Sequence, residues 1–309
     1  MADSLLKFML GDGNVRGVAV RLRESWQEML RRRRHEAGVQ ELLGEMSAAS
    51  VLLAGSLKFD GTLVLQIQGD GPLRLAVAEC QPDFGLRATA TARVDDDAEV
   101  PSQPADFAQL TNSRGAGRCV ITLDPRQPGQ QPYQGIVALN DAHGQALPTL
   151  SAVLEQYLAQ SEQIESMLLL ASDARSVGGL LLQRMPGVLA GRDSPEEDFS
   201  RARHLASTLT DAELLGLAPE EVLRRLFWEE DVRIFAPHTP RFHCTCSRER
   251  VAGMLRMLGR EEVDSILREQ GEVDVRCEFC GQGYAFDAVD AAQVFLLPIV
   301  QPPVSPGSH

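Results

Sequence analysis

The chain has 309 residues, 44% of them hydrophobic and 24% charged, with a formal net charge of −13. That length accommodates two domains, and the acidic balance argues against a dedicated nucleic-acid binder, which needs a basic face for phosphate contacts. No stretch approaches the roughly 20 consecutive apolar residues of a membrane span, and MADSLLKFML has neither a basic leader nor a small-residue cleavage site, so a cytoplasmic protein is expected.

Residues 1–14 read as a short helix ending in a Gly-Asp-Gly turn. Val15 to Leu22 follows as a strand, with Val18, Val20 and Leu22 on one face and arginines on the other. GDGNVRG precedes a strand and has the wrong glycine spacing, so it is a turn and not a dinucleotide fingerprint. Glu24 to Arg34 is helical and ends in Arg31, Arg32, Arg33 and Arg34, where a helix C-terminus favours cations. Those arginines suit either a solvated helix end or a polyanion contact.

Val39 to Leu57 carries apolar residues at three- and four-residue spacing with Gly, Ala and Ser between them, which predicts a buried helix lying close to a sheet. LVLQIQ, a Gly-rich turn and LRLAVAEC form a hairpin. LRATATAR at 86–93 is a further strand, and residues 94–116, acidic at 95–97, read as a loop. RCVITL and YQGIVAL are strands, residues 147–163 an amphipathic helix, and SMLLLA with GGLLLQRM a second hairpin. This irregular interleaving favours an α+β fold over a doubly wound sheet.

Beyond Pro186, Ser194 and Thr210 open capping boxes and Ala218-Pro219-Glu220-Glu221 gives a third helix start. These helices lack the apolar residues for a core of their own, so they must lean on a neighbour or stay loose. The expected organisation is an N-terminal α+β core over 1–193, a conditional helical linker over 194–241, a small cysteine-bearing module over 242–290 and a tail over 291–309 whose end, QPPVSPGSH, is disordered. Within the module, Ser247 caps a helix ending at Gly259, residues 261–270 form another ending at Gly271, and EVDVR with GYAFD are the arms of a hairpin.

Four of the six cysteines lie there, as Cys244-x-Cys246, a 30-residue insertion, and Cys277-x-x-Cys280 followed by Gly281. Two close pairs bracketing a folded insertion suit a tetrahedral four-cysteine zinc site, each pair placing two thiolates about 3.5–4 Å apart. In a reducing compartment such clusters are metal ligands or redox centres before they are structural disulfides. Several readings stay open from spacing alone: a plain structural zinc, a switch in which thiolate oxidation expels the metal, a thiol oxidoreductase or a nucleic-acid ribbon. From residue 242 onward six arginines face ten carboxylates, which weakens the ribbon. His243 suits an exposed role or one behind the ligands, since four sulfurs fill a tetrahedron. Cys80 and Cys119 lie in strand-like runs as buried small hydrophobes. Ser4-Leu5-Leu6-Lys7 matches S-x-x-K only at chance level, and with no G-x-S-x-G or P-loop no enzyme site is read.

CSRER after the first pair and CEFCGQGYAF at the second resemble the heat-shock protein 33 family, the redox-regulated holdase chaperones of bacteria. LLGEMSAASVLLAGSLKFDGTLVLQIQGDGPL, YQGIV, YLAQSEQ, GGLLLQRMP and TLTDAELL are similar to further blocks of that family, so the resemblance spans nearly the whole chain. It implies that Cys244, Cys246, Cys277 and Cys280 bind one Zn²⁺ in the reduced, inactive form. It further implies that oxidation pairs Cys244 with Cys246 and Cys277 with Cys280, releases zinc and unfolds the linker. The partners it implies are unfolded client proteins, a second copy of the chain when oxidised, and ATP-dependent foldases downstream. The alternative is a constitutive zinc scaffold without switching.

Overall fold

The computed structural model describes residues 2–11, 13–93, 106–127, 129–186 and 194–296. The acidic run at 95–97 and the tail segment QPPVSPGSH lie outside them. The chain divides into two compact units, Met1–Cys244 and Thr245–His309.

In the first unit β1 (Ser4–Leu10) and β2 (Val15–Leu22) form an antiparallel hairpin, which corrects the helix expected over residues 1–14. Leu5 enters one core while Leu6, Phe8 and Leu10 enter another, the alternation of a strand buried on both faces. Gly11 (φ +55°) and Gly13 (φ +93°) provide the left-handed backbone that turns the chain back. A second correction concerns β2, whose arginines do not gather on the face opposite Val18, Val20 and Leu22. Val15 and Ala19 are buried opposite Val18, Val20 and Leu22, Arg16 shares the parity of Val18, and Arg21 is only 5% exposed.

α1 (Glu24–Arg32) starts where the Asp3 carboxylate accepts the backbone N–H groups of Arg23, Glu24 and Ser25. α2 (Ala37–Ser56) is the central helix, with 15 of its 20 residues buried, as befits a helix apolar on all sides. Its small residues permit the close approach expected of them: a Cβ on Gly44 would strike Ser172 and one on Gly55 would crowd Val18. β3 (Gly61–Gln68), β4 (Leu73–Cys80) and β5 (Gly85–Ala92) follow as an antiparallel meander. The loop expected over 94–116 contains a short helix, α3 (Phe107–Thr111), capped by Asp106. β6 (Arg118–Pro125) and β7 (Tyr133–Ala138) complete the far side of that sheet, and α4 (Leu150–Ser161) leads to the hairpin of β8 (Ser166–Ser172) and β9 (Val177–Arg184). The fold is α+β, and α2 shares one core with residues of both sheets.

α5 (Pro195–Ala206) and α6 (Asp211–Gly216) begin with complete capping boxes at Ser194 and Thr210, and α7 (Pro219–Leu226) begins with proline and no side-chain cap. Helices this short do not persist alone in water. They lean on the outer face of the first sheet, where Phe199, Ala202, Leu214, Val222, Leu226 and Phe227 meet β1, β2 and β9. Beyond α7 two short strands, unforeseen in the sequence, extend both sheets. β10 (Val232–Ile234) pairs antiparallel with β1, and β11 (Arg241–Phe242) pairs parallel with β5. The sheet orders are β10-β1-β2-β9-β8 and β11-β5-β4-β3-β6-β7.

The second unit contains α8 (Arg248–Leu258), α9 (Arg260–Gln270), the hairpin of β12 (Val273–Arg276) and β13 (Gly283–Phe286), and an unforeseen α10 (Ala288–Leu296). Ser247 caps α8, and Gly271 closes α9 in the left-handed region at φ +83°. Among the described residues its core is formed by eight buried side chains, of which Val263 is the most enclosed.

Candidate metal centre

The segment entering the cysteine cluster is anchored by backbone pairing. Arg241 and Phe242 align with Gly85 and Leu86, the Arg241 N–H donates to Phe84 O at 3.1 Å, and the His243 N–H donates to Leu86 O at 2.9 Å. Cys244 follows directly. Its sulfur receives an N–H from Arg87 at 3.6 Å, and Arg87 is in turn held by Glu79, its cross-strand neighbour, at 2.7 Å. Cys246 immediately precedes Ser247, whose hydroxyl accepts from the Arg250 N–H and sets the start of α8.

The second pair sits in the turn between β12 and β13. The Gly281 N–H donates to Cys277 O at 2.8 Å and the Cys277 N–H to Gln282 O at 2.9 Å, with Gly281 at φ +71°. This tight knuckle is the conformation for which glycine was expected. It places Cys280 Sγ 3.4 Å from Cys246 Sγ. The Tyr284 hydroxyl donates to Cys246 Sγ at 3.1 Å, and that bond, the largest influence on it, pushes the phenol up to about 12.

The sulfurs of Cys244, Cys246, Cys277 and Cys280 all lie within 4.8 Å of one another. A tetrahedron with zinc–sulfur bonds of about 2.3 Å has sulfur–sulfur edges of about 3.8 Å, so the four donors fit a single metal ion. Soft thiolates in that number suit zinc or another thiophilic metal. His243 is exposed and stands outside the four-sulfur group. Cys80 and Cys119 are fully buried, and burial pushes both thiols up to about 12, which keeps them protonated and inert. Arg31 and Arg32 both pair with Glu28 on their own helix, and Arg32 also covers the Phe242 ring at 4.8 Å.

Two neighbours of the cluster escaped sequence reasoning. Arg87 is 157 positions from Cys244, and only the pairing of β11 with β5 brings them together. Tyr284 falls at an alternating position of a predicted strand, where a tyrosine gives no sign of the sulfur beside it.

The Hsp33 protein family model matches residues 3–287. The chain is 45% identical to the 33 kDa chaperonin of Chromobacterium violaceum over 294 residues, covering 95% of this chain and 94% of that one. It is 43% identical to the 33 kDa chaperonin of Methylobacillus flagellatus, covering 98% and 97%. The crystal structure of the 33 kDa chaperonin (heat shock protein 33 homolog) of Thermotoga maritima superposes with a TM-score of 0.76 at 21% identity, over 96% of this chain and 98% of that one, a likeness of fold. Matched by its family model from Asp3 to Asp287 and by curated relatives along almost all of its length, the chain belongs to the Hsp33 family.

Proposed function

We propose that this protein is a redox-regulated, ATP-independent chaperone of the bacterial cytoplasm, acting by binding and not by catalysis. The relatives' shared name supports the chaperone part. The observation that carries the regulatory part is the gathering of four sulfurs within 4.8 Å in a chain whose α5, α6 and α7 take their burial from a sheet face.

In the reduced state Cys244, Cys246, Cys277 and Cys280 would hold one Zn²⁺, which when bound fixes them as thiolates and folds the residues around it. Each disulfide formed by peroxide takes two electrons from two thiolates, with two protons completing the conversion of one peroxide to two waters. Cys244 would pair with Cys246 and Cys277 with Cys280, leaving no thiolate to retain the metal. The module of residues 242–290 would then unfold, and with it the linker of residues 194–241. The apolar residues that α5–α7 cover, among them Leu6, Phe8, Leu10, Leu180 and Leu182, would become the surface on the 1–193 core that grips unfolding clients. An oxidised dimer that hands clients to ATP-dependent foldases completes the reading.

The test compares reduced and peroxide-treated protein in suppressing aggregation of a denatured client while zinc release is followed with a dye. The expected result is about one zinc released per chain together with a gain of suppression. A constitutive zinc scaffold would instead lose its metal and precipitate or stay inert, and that outcome would replace the proposal.

A further inference from the structure

Arg21 shares the parity of Val15 and Ala19, so β2 carries it onto the sheet face that α5, α6 and α7 cover. The residue is 5% exposed, and its Nε has no hydrogen-bond partner among the described residues. Among the described residues no carboxylate forms an ion pair with it. A buried guanidinium without a counter-charge is costly, and an anion reaching it would relieve that cost.

Arg21 borders a cavity of about 360 Å³ whose wall also carries Arg23, Arg175, Ser176 and Asp173, with Ala212, Leu215 and Gly216 of α6 opposite. Among the described residues the lining thus holds three arginines and one aspartate. One oxygen of that carboxylate is engaged: Asp173 Oδ1 accepts the backbone N–H groups of Arg175 and Ser176, each at 2.7 Å, and closes the turn between β8 and β9. Arg23 and Arg175 are exposed, so the charge runs from a buried floor to an open rim. The wall formed by α6 is fixed as well, since Ser176 Oγ donates to Leu215 O at 3.2 Å and Gly178 lies too close to Leu214 to admit a Cβ.

We propose that this cavity binds a phosphoryl group, as inorganic phosphate or as the phosphomonoester of a small metabolite, with Arg21 as the buried anchor and Arg23 and Arg175 as the rim. With three arginines to one aspartate in the lining, a phosphoryl dianion balances the charge, and its oxygens match the planar donor fork of arginine. The volume lies within the roughly 300–1,000 Å³ of small-molecule sites. Because α6 forms one wall, the ligand binds the packed form of that helix and favours it by mass action. No cysteine contributes, so the site stands whether or not the metal reading holds.

The test uses the reduced, zinc-loaded full chain. Inorganic phosphate and ribose 5-phosphate are titrated separately by calorimetry at ionic strength matched with chloride, and thermal unfolding is recorded alongside. We expect saturable binding of at least one of the two at one site per chain, and a rise in Tm of roughly 5 °C at a hundredfold excess over Kd. Binding of phosphate alone assigns the free ion; binding of the ester, with or without phosphate, assigns the phosphomonoester class. Arg21→Met should weaken binding roughly 10- to 100-fold while leaving Tm without ligand unchanged or higher. If Arg21→Met does not fold, Arg175→Ser and Arg23→Ser, both at exposed positions, decide the matter through the same loss of affinity. Neither ligand binding beyond the chloride control, or the folded variants binding as the wild type does, would overturn the proposal.

Discussion

The Arg87 guanidinium donates to the Cys244 sulfur at 3.6 Å while Glu79 holds the same guanidinium at 2.7 Å. Strand β5 therefore contributes a hydrogen bond to a candidate metal ligand as well as the backbone that positions it. Loss of such partners behind a ligand typically weakens metal affinity 10- to 100-fold. Arg87→Met should therefore speed transfer of zinc to a chromogenic chelator by about tenfold, with unchanged far-UV circular dichroism, and Arg87→Lys should fall between. Equal transfer rates in wild type and Arg87→Met would show the contact to be idle.

Removal of the metal should act unequally on the two units. The second has eight buried core residues among those described, and a structural zinc contributes on the order of 10–16 kcal/mol of apparent folding free energy to small modules. A chelator added to reduced protein should therefore raise hydrogen exchange across α8, α9 and the β12–β13 hairpin to the rate of an unfolded chain, while β3, β4 and β6 stay protected. Cys277→Ser should do the same without chelator. Retained protection of Val263 and Phe286 in metal-free protein would mean that the core suffices and the metal is dispensable.

Much of this arrangement was legible in the sequence because its signals are local. The two cysteine pairs, Gly281 at the knuckle, Gly271 at the end of α9 and the capping boxes at Ser194 and Thr210 each depend on a few adjacent residues. What stayed hidden depends on distant partners. SLLKFML is apolar on both sides and fits a buried helix as well as a strand until β2 and β10 flank it. Strands β10 and β11 have three and two residues, too few for any periodicity. Arg21 reads as part of an arginine face opposite Val18, Val20 and Leu22, because nothing near it in sequence announces the helix that covers it.

The packing of α7 on the first sheet should set how readily the linker opens. Phe227 is 1% exposed, and its ring lies 5.9 Å from that of Phe8. Truncating such a residue costs about 3–5 kcal/mol, a large share of the stability of helices that cannot persist alone. Phe227→Ala should raise hydrogen exchange in α5–α7 at least a hundredfold and give measurable suppression of client aggregation without oxidant. Faster exchange without any gain of suppression would separate the covered face from client binding.

A pH dependence follows from Glu45 on α2. Its carboxyl is pushed up to about 8, first by burial and then by the neighbouring charges of Glu41 and Asp211. The folded state thus holds a proton that the unfolded chain releases near the ordinary glutamate range, about 4.3. The stabilisation is fully present below that range, declines as pH rises through it toward 8, and is gone above 8. The loss between pH 5 and pH 9 should be on the order of 4 kcal/mol. Glu45→Gln keeps the uncharged form at every pH, so urea unfolding should find it close to wild type at pH 5 and increasingly more stable toward pH 9. Asp211 opens α6, so Asp211→Asn should recover part of the same stability by removing one repelling charge. A difference between Glu45→Gln and wild type that does not grow with pH would place the Glu45 proton elsewhere and detach Asp211 from it.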